Sequence, residues 1–418
     1  MKPLHPVISR CRICQNSELV TILDLGVQAL TGIFPKTKEQ PVGKGPLELV
    51  KCHGGDQACG LVQLRHNYDP SQLFGDTYGY RSGLNESMVL HLSHTVQRLL
   101  QRKTINKGDV VLDIASNDGT TLSFFPSDAT LIGMDPSAAR WAGMYKPHIV
   151  LVSDFFSPER FLQASAGQRA KLITTIAMFY DLEDPLAFMR QVSSILADDG
   201  LWFLEQSYLP LMLKSNSYDT VCHEHLEYYA MSQFAWMAPR VGLEIVDVEL
   251  NEANGGSFAV TLAKQGAGYG RSARVDELIA EESQLGLGDL QVYRKFAKDA
   301  EQHRDDLRTE LARCSSRGRL VLGLGASTKG NVILQYCGLG ELDLPAIGEV
   351  NEDKFGSFTP GSLIPIVREA DVLAENPYAL LVLPWHFRAN LTRRLAPFTR
   401  KGGKLLFPLP NLEFVSGL

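Results

Sequence analysis

Hydrophobic positions between residues 108 and 265 form short apolar runs that alternate with stretches of helical spacing. The runs are VVLDIA, TLIGMD, IVLVSD, LITTIA, GLWFLEQ and, after a longer interval, FAVTLAK. A second alternation of the same kind starts near residue 318 and includes RLVLGLGAS, LPAIGEVN, ALLVLPW and GGKLLFPLP. Strands that alternate with helices are typical of a doubly wound, mostly parallel sheet. The pattern therefore predicts an α/β fold with two lobes.

The rest of the chain differs from these lobes. Residues 1–67 are rich in turns, residues 85–102 have helical apolar spacing, and residues 272–317 are charged with a helical period. A chain of 418 residues is also too long for one ordinary hydrophobic core. We predict a metal-binding module, a cofactor-binding lobe, a helical bridge and a C-terminal Rossmann-like lobe, over residues 1–70, 71–270, 271–317 and 318–418.

The bulk composition limits the classes of partner. Hydrophobic residues make up 44% of the chain and charged residues 21%, as in an ordinary soluble globular protein. The net charge of −6 gives no reason to expect a nucleic acid polymer or an anionic membrane as partner. No apolar run approaches the roughly 18 residues that span a bilayer, and MKPLHPVISR has neither a secretory nor a transit pattern. We expect a cytoplasmic protein, either a monomer or a weak homodimer.

The segment VVLDIASNDGTT is an apolar strand that ends in Asp113 and runs through small residues into a helix. Ligands of open α/β sheets bind at the carboxyl ends of strands, and small residues allow close backbone approach. Asp135 ends the next apolar run 22 residues later, where a carboxylate can accept both hydroxyls of a ribose. The loop is not GxGxxG, which favours an adenosyl cofactor over NAD. The alternative is a loop that merely joins a strand to a helix.

The ends of the next two strands complete this predicted cofactor site. The segment Ser153-Asp154-Phe155 is placed to meet adenine, and Ala177-Met178-Phe179-Tyr180 to lie under the methionine part. The predicted cofactor-binding residues are Asp113, Ala115, Asn117, Gly119, Asp135, Pro136, Asp154, Phe155, Met178 and Phe179.

Four of the seven cysteines fall near the start of the chain, as Cys11-x2-Cys14 and Cys52-x6-Cys59. Four thiolates are a tetrahedral zinc set, and a site with four protein ligands keeps no open position for catalysis. We therefore predict a structural zinc ion. His53 is a possible substitute ligand, and free cysteines in a module rich in loops are the alternative.

The segment SYDTVCHEHLEYY, residues 217–229, is the densest cluster of reactive side chains in the chain. Its histidines, glutamates and tyrosines suit proton transfer beside a polar substrate. The pair His223-x-His225 could instead bind a metal, although it lacks the spacing of HExxH. A polar surface loop is the third interpretation.

The segment GLGASTKGN, residues 323–331, follows an apolar run and opens a predicted helix. It lacks the GxxxxGK[ST] order of a Walker loop, because Gly330 follows Lys329. A helix N-terminus with a lysine beside it can still hold phosphate. A Rossmann-like lobe with only a structural role is the equal alternative.

Together these segments resemble the three-domain S-adenosylmethionine-dependent C-methyltransferases of deoxysugar biosynthesis, over essentially all of the chain. The motifs that carry the resemblance are CRIC with ACGLVQL, YGYRSGLNESM, DIASNDGTTL, MFYDLEDP, LEQSYLP, SYDTVCHEHLEYY, NGGSFAV, GASTKGNVILQYCG, PGSLIPI and LPWHF. The resemblance implies an N-terminal module with structural zinc, a central class I methyltransferase domain that binds S-adenosylmethionine, and a second, C-terminal Rossmann-like domain.

The resemblance further implies a nucleotide-linked keto-deoxysugar held between the central and C-terminal lobes. A base would remove the acidic proton beside the ketone, and the enolate would accept the methyl group. His225 is the expected base, with Glu224 orienting it or contacting sugar hydroxyls, and Tyr80 and Tyr228 are expected to bind the ketone or enolate oxygen. Further substrate contacts are expected from Tyr78, Asn85, Asp181 and Asn254, and on the nucleotide-diphosphate side from Lys329, Asn351 and His386.

Two features depart from the family pattern. HGGDQA separates Cys52 from Cys59 where a C-x2-C pair is usual, and Asp181 follows MFY where some relatives carry a histidine. The first leaves the zinc geometry open, and the second allows a different substrate or an oxygen acceptor. An S-adenosylmethionine-dependent O-methyltransferase and a non-catalytic, zinc-stapled scaffold that binds the cofactor are therefore alternatives to C-methylation.

Overall fold

The computed structural model describes residues 5–55, 57–73 and 80–417, which form three β-sheets with helices around them. Tyr78, one of the expected substrate contacts, lies outside the described residues. No helix in this part of the chain has the length and apolar character needed to cross a membrane.

The first part of the chain forms an antiparallel meander followed by two helices. Its elements are strands β1 (Leu19–Ala29), β2 (Lys44–Cys52) and β3 (Val62–Leu64), and helices α1 (Pro70–Leu73) and α2 (Glu86–Arg102). Asn85 begins α2, because its side-chain oxygen accepts from the backbone N–H and the hydroxyl of Ser87 at 3.0 and 2.8 Å. A side chain that caps a helix in this way satisfies a backbone amide that the helix itself leaves free.

The central part carries a seven-stranded sheet. In chain order its elements are β4 (Val110–Ile114), β5 (Thr130–Met134), β6 (Ile149–Val152), α3 (Pro158–Ala164), β7 (Ala170–Ile176), α4 (Pro185–Ile195), β8 (Leu196–Ser207), α5 (Leu209–Lys214), β9 (Glu227–Tyr228), α6 (Met231–Met237), β10 (Leu243–Asn251) and β11 (Ser257–Lys264). The strand order is β10-β11-β8-β7-β4-β5-β6, with β11 antiparallel to both neighbours and the strands from β8 to β6 parallel.

This order contains one topological switch point. From β4 the chain moves outward through β5 to β6, and then returns to place β7 on the other side of β4. The loops that follow β4 and β7 therefore diverge and leave a crevice at the carboxyl ends of the strands. The alternation of apolar runs predicted this doubly wound α/β sheet, and the structure confirms it.

Two helices, α7 (Ala273–Gln284) and the 27-residue α8 (Leu290–Ser316), lead into the last part. That part consists of β12 (Val321–Leu324), α9 (Thr328–Tyr336), β13 (Ile347–Glu349), β14 (Ile366–Arg368), α10 (Glu369–Ala374), β15 (Ala379–Val382), α11 (Arg388–Arg394), α12 (Ala396–Arg400), β16 (Lys404–Phe407) and β17 (Glu413–Ser416).

The C-terminal sheet has the order β14-β13-β12-β15-β16-β17, and only β17 is antiparallel. Renumbered from β12, this is the order 3-2-1-4-5-6 of a Rossmann fold. Its switch point lies between β12 and β15, so the loops that begin at Gly325 and at Leu383 flank a second crevice.

The N-terminal module shares its hydrophobic core with both lobes. Leu47 and Leu49 of β2 belong to the cluster that contains α8 and the C-terminal sheet. At the other end of the module, Cys11, Cys59 and Leu61 belong to the cluster of the central sheet. The module is therefore packed against both lobes rather than attached by a linker.

The two-residue strand β9 completes the sheet of the N-terminal module. Tyr228 of β9 pairs with Val62 of β3, and the backbone N–H of Leu64 donates to the carbonyl of Leu226 at 2.8 Å. The next residue, Tyr229, forms a parallel bridge with Tyr208 after β8. The reactive segment 217–229 is thus held by backbone hydrogen bonds to two different parts of the chain.

Candidate functional site

The sulfur atoms of Cys11, Cys14, Cys52 and Cys59 all lie within 4.8 Å of one another. Tetrahedral zinc with Zn–S bonds of about 2.3 Å separates its sulfur ligands by roughly 3.8 Å, so these residues fit the ion. The six residues between Cys52 and Cys59 do not disturb the geometry, because β2 and β3 form a hairpin in which the N–H of Cys52 donates to the carbonyl of Leu61 at 2.8 Å. Among the described residues the cluster does not include His53.

Two cationic side chains lie beside the cysteines. Lys51 donates to the carbonyl of Gly60 at 2.9 Å, and Arg12 donates to Gln63 and to the carbonyl of Leu64 at 3.3 and 2.7 Å. Burial lowers the pKa of both; the cysteine charges oppose that shift for Lys51, whereas the charge of Glu227 is the largest opposing influence for Arg12. Four thiolates around Zn²⁺ carry a net charge of −2, and Lys51 is the cation that they stabilise most directly.

The predicted cofactor loop follows β4 and contains strained backbone. Ala115 and Asn117 have φ of +59° and +49°, and Ala177, after β7, has φ of +54°. Residues with a Cβ rarely adopt this region, and such strain concentrates where the backbone must meet a ligand. All three stand on the two sides of the switch point of the central sheet. Gly119 in the same loop has φ of +75°, which glycine adopts without strain.

The two carboxylates of this loop are engaged within the protein. Asp113 accepts from the Thr174 hydroxyl at 2.6 Å, and burial raises its pKa to about 7. Asp135 accepts from the Asn117 N–H at 2.9 Å and from Ser137 at 2.7 and 2.6 Å. Asp135 therefore sets the shape of the loop, and its four lone-pair sites leave capacity for a ribose hydroxyl.

The segment 80–83 lies over the cofactor loop. The N–H groups of Ser82 and Gly83 donate to the side chains of Asn117 and Asp118, both at 2.9 Å, and the Asn117 side chain donates to the Tyr80 carbonyl at 3.1 Å. Tyr80 is 47% exposed as a whole residue, and desolvation of its hydroxyl raises its pKa to about 12. The structure thus brings Tyr80 to the cofactor loop.

Not every predicted cofactor residue presents its side chain to this crevice. The ring of Phe179 is buried and packs against Trp202, Tyr229 and Phe234, so it belongs to the core, and only its backbone borders the switch point. The neighbouring Met178 is partly buried. Periodicity placed this segment at a strand end but could not indicate which way its side chains point.

The third strand end is more open. Phe155 is 48% exposed, and Asp154 is partly buried and paired with Arg160 at 2.6 Å. Pro136 is partly buried next to Asp135. An exposed aromatic ring at the end of the third strand can stack on a flat base, as predicted for adenine.

The backbone carbonyl of Thr220 orients the ring of His225. Its Nδ1 donates to the Thr220 carbonyl at 2.9 Å, which leaves Nε2 unprotonated and able to accept a proton. Its ring contacts that of Tyr180, with centroids 4.3 Å apart. Burial and the positive charge of Lys329 lower the pKa of His225 to about 3, although the bond to Thr220 opposes the shift. The imidazole is therefore neutral at neutral pH.

The other members of the reactive segment hold it in place. His223 is buried, with Nε2 3.2 Å from the Gly45 carbonyl, so it points away from His225 and into the N-terminal module. Glu224 accepts from the Thr31 hydroxyl at 3.3 Å. The Tyr228 hydroxyl donates to the carbonyl of His225 at 3.1 Å. Tyr228 thus shapes the loop that carries His225, and in this structure its proton is not directed at a substrate.

Asp181 lies beneath the same segment. Its Oδ1 is buried without a hydrogen-bond partner among the described residues. Burial, together with the charges of Glu224 and Glu227, raises the pKa of Asp181 well above its usual value. Position 181 therefore holds a carboxyl group that is protonated more readily than an ordinary aspartate.

The C-terminal lobe brings a lysine and a histidine to the same place. Lys329, at the start of α9, donates to the Asn254 carbonyl at 2.6 Å. His386, after β15, lies against Gly255, and burial and the Lys329 charge lower its pKa well below the usual value. Asn254, itself at φ of +54°, belongs to the central part. Lys329, His386, Asn254 and His225 thus meet across the two lobes.

Two residues that no sequence pattern singled out join the lobes at this point. Asp219 is fully buried and accepts from the Trp385 indole N–H at 2.7 Å, and Asp219 immediately precedes the Thr220 that holds His225. Asp219 lies in SYDTVCHEHLEYY and Trp385 in LPWHF, but no sequence rule links two residues that are 166 positions apart.

The remaining expected substrate contacts, Asn85 and Asn351, serve as caps. Asn85 begins α2, and Asn351 accepts from the Asp353 N–H at 3.1 Å while its own N–H donates to Glu349 at 2.9 Å. Glu349 ends β13 and also accepts from the N–H of Ala326 at 2.8 Å. Glu349 is an acidic residue at the end of the second strand of the C-terminal sheet, just as Asp135 follows the second strand of the central sheet. The same sequence signal therefore points to both residues.

Three family models match successive parts of the chain. They are described as "Putative zinc binding domain", matching residues 11–74, "Methyltransferase domain", matching residues 84–248, and "C-methyltransferase C-terminal domain", matching residues 252–410. Their order is the order of the three parts that the resemblance implied.

A curated relative matches from end to end. The C-methyltransferase NovU of Streptomyces niveus is 30% identical over 421 residues, which is 100% of this chain and 99% of NovU. Solved structures match more distantly. The plantazolicin methyltransferase BpumL in complex with SAH is 14% identical, with a TM-score of 0.34, over 42% of this chain and 84% of BpumL. A methyltransferase from Clostridium acetobutylicum is 13% identical, with a TM-score of 0.33, over 43% of this chain and 92% of its own.

The cysteine cluster predicts about one zinc ion per chain in the purified protein, measured by elemental analysis. Cys14→Ala removes a ligand and is expected to abolish zinc binding and lower the melting temperature. Cys314→Ala, which removes a buried cysteine of α8, is the matched control and is expected to keep the metal. A well-folded, zinc-free wild-type protein would contradict the four-thiolate site.

Asp135→Ala is expected to weaken the binding of S-adenosylhomocysteine by about 1–3 kcal/mol, because the loop loses its carboxylate and the ribose loses an acceptor. Titration calorimetry measures this affinity directly. Asp128→Ala, an exposed aspartate of the same lobe, serves as the control. An affinity equal to that of the control variant would exclude Asp135 from the cofactor site.

Proposed function

This chain belongs to the family of S-adenosylmethionine-dependent C-methyltransferases, and we propose that its acceptor is a nucleotide-linked keto-deoxysugar. The observation that carries the proposal is the orientation of His225. A neutral imidazole, whose Nε2 has no hydrogen bond among the described residues, lies at the junction of the two α/β lobes, near the charge of a lysine from the other lobe. A base in this setting suits the removal of a proton from a carbon next to a carbonyl group.

The central crevice is the proposed place for the methyl donor. The backbone of Ala115 and Asn117, the carboxylate of Asp135 and the exposed ring of Phe155 border it. When bound there, S-adenosylmethionine supplies an activated methyl group on a sulfonium centre. The segment 80–83 lies over the same loop, so Tyr80 is proposed to stand between the donor and the acceptor sugar.

His225 is the proposed general base. Its Nε2 takes the α-proton of the ketone, and the electrons of the C–H bond move into the enolate, whose carbon is the nucleophile. With a pKa of about 3 the imidazole is a weak base. The reaction therefore depends on acidifying the substrate, which requires hydrogen-bond donors or positive charge at the carbonyl oxygen.

The substrate residues fall into two groups in this proposal. Asp181 faces the sugar from the central lobe, and its protonated carboxyl group donates a hydrogen bond to a sugar oxygen through the buried oxygen that has no partner among the described residues. His386 and the N-terminus of α9 face the nucleotide-diphosphate part from the C-terminal lobe. A helix N-terminus binds phosphate through its free amides and its dipole. In this proposal the metal-binding module comprises residues 1–70, the cofactor-binding lobe 71–270, the helical bridge 271–317 and the C-terminal lobe 318–418.

Methyl transfer is measured with radiolabelled S-adenosylmethionine and a panel of nucleotide-linked 4-keto-6-deoxyhexoses. We expect labelled product with at least one member of the panel. His225→Ala is expected to lower turnover by about 10²-fold or more while leaving S-adenosylhomocysteine affinity unchanged. His148→Ala, an exposed histidine of the central lobe, is the control.

Two results would contradict the proposal. Transfer to nucleotide sugars that lack a ketone, with none to the keto-sugars, would move the acceptor to a hydroxyl group. Loss of cofactor binding in His225→Ala equal to the loss of turnover would assign His225 to the donor site and remove it as the base.

A further inference from the structure

Lys329 reaches from the first turn of α9 in the C-terminal lobe to the central part of the chain. It begins α9 at the switch point of the C-terminal sheet and is partly buried. Its ammonium donates to the carbonyl of Asn254, which belongs to the central part, at 2.6 Å. The side chain therefore crosses from one lobe to the other.

The groups that face Lys329 belong to the catalytic segment and to the loop after β15. The titratable ones are Asp219 and Cys222, whose charges raise the pKa of the lysine, and His225 and His386, whose pKa values the lysine lowers. Asp219 is tied to Trp385, and the next residue, Thr220, holds His225. The loop that carries His225 is thus bonded to the C-terminal lobe from which Lys329 extends.

This cation is not neutralised by contact. No ion pair within 4.0 Å involves Lys329 in the part of the chain that the structure describes, and its hydrogen bond is to a neutral carbonyl group. Asp219 directs one oxygen to Trp385, and its other oxygen is buried without a hydrogen bond among the described residues. Withdrawing an ammonium group from water without a paired anion costs free energy, so an anion that arrives with the substrate gains most from it.

We propose that Lys329 is a catalytic residue whose ammonium binds the enolate oxygen of the acceptor sugar while His225 holds the abstracted proton. The inference rests on the proposed function. The C–H bond breaks, its electrons form the C=C bond, and the carbonyl π electrons move to oxygen, which then carries the negative charge. Lys329 keeps its protons throughout. When the carbon receives the methyl group, the C=O bond reforms and His225 releases its proton to water.

The same cation has two opposite effects on the reaction. It lowers the basicity of His225, and it stabilises the enolate that His225 must generate. Because the enolate oxygen would be in contact with the ammonium while the imidazole is not, stabilisation of the enolate is the larger effect. The low basicity of His225 is therefore compatible with proton removal, because Lys329 stabilises the enolate that forms.

The test is proton exchange at the α-carbon in D₂O without a methyl donor, followed by NMR, with dTDP-4-keto-6-deoxyglucose and its UDP analogue as probes. Lys329→Met is expected to slow exchange by about 10²–10³-fold while changing dTDP and UDP affinity by less than about threefold. Lys329→Gln, which keeps a hydrogen-bond donor, is the second variant, and Lys404→Met, a partly buried lysine of the same lobe, is the control.

The pH profile supplies a readout that a structural role would not move. His225 must be neutral to act, so activity falls as the pH falls through its pKa. Removal of the neighbouring charge raises that pKa, and the acid limb of exchange is expected to move to higher pH in Lys329→Met and Lys329→Gln. Asp219, Cys222 and His386, the other groups that face the lysine, keep their side chains in both variants, and the loss of the lysine charge also raises the pKa of Asp219 and of His386.

The outcomes separate the two proposals. Wild-type exchange with unaltered exchange in both Lys329 variants overturns the role of Lys329 alone. A loss of nucleotide affinity as large as the loss of exchange also overturns it, and assigns the lysine to the diphosphate. Absence of exchange and of methyl transfer in the wild-type protein overturns the proposed function, and the role of Lys329 with it.

Discussion

The placement of residues 218–229 is the constraint on which the rest of the site depends. Backbone pairing of Tyr228 with Val62 ties this segment to the N-terminal module, the bridge between Tyr229 and Tyr208 ties it to the central lobe, and the bond from Trp385 to Asp219 ties it to the C-terminal lobe. Each tie orients part of the loop that carries His225. A structural zinc ion would stabilise this loop indirectly. Its cysteine ligands hold the β2–β3 hairpin, and β3 pairs with β9 in the loop.

Desolvation sets the chemistry of the residues gathered there. Burial is the largest influence on the pKa of His225, Asp181 and Lys329, and in each case it favours the uncharged form. In the proposed reaction a neutral imidazole accepts a proton, a carboxyl group with a raised pKa donates a hydrogen bond, and a partly desolvated ammonium binds the developing oxyanion. These residues come together where the two lobes contact each other, through Lys329 and Asn254 and through Trp385 and Asp219.

Much of the architecture could be predicted from the sequence, because apolar runs and the residues that end them are local signals. They predicted both α/β sheets and the cysteine set, and they placed Asp113 at a strand end beside the switch point, while the β2–β3 hairpin explains why the unusual spacing before Cys59 still brings the four cysteines together. Contacts between distant segments carry no such signal. The bond from Trp385 to Asp219, the inward ring of Phe179 and the use of the Tyr228 hydroxyl on the His225 carbonyl each depend on tertiary packing, which periodicity does not encode.

The central claim is that a carbon atom receives the methyl group. The most direct test is the ¹³C NMR spectrum of the product formed from a nucleotide-linked keto-sugar and S-adenosylmethionine labelled with ¹³C in its methyl group. When the sugar is labelled with ¹³C as well, the proposed reaction predicts a methyl resonance that shows a one-bond coupling to a sugar carbon. A methoxy resonance without that coupling would contradict it.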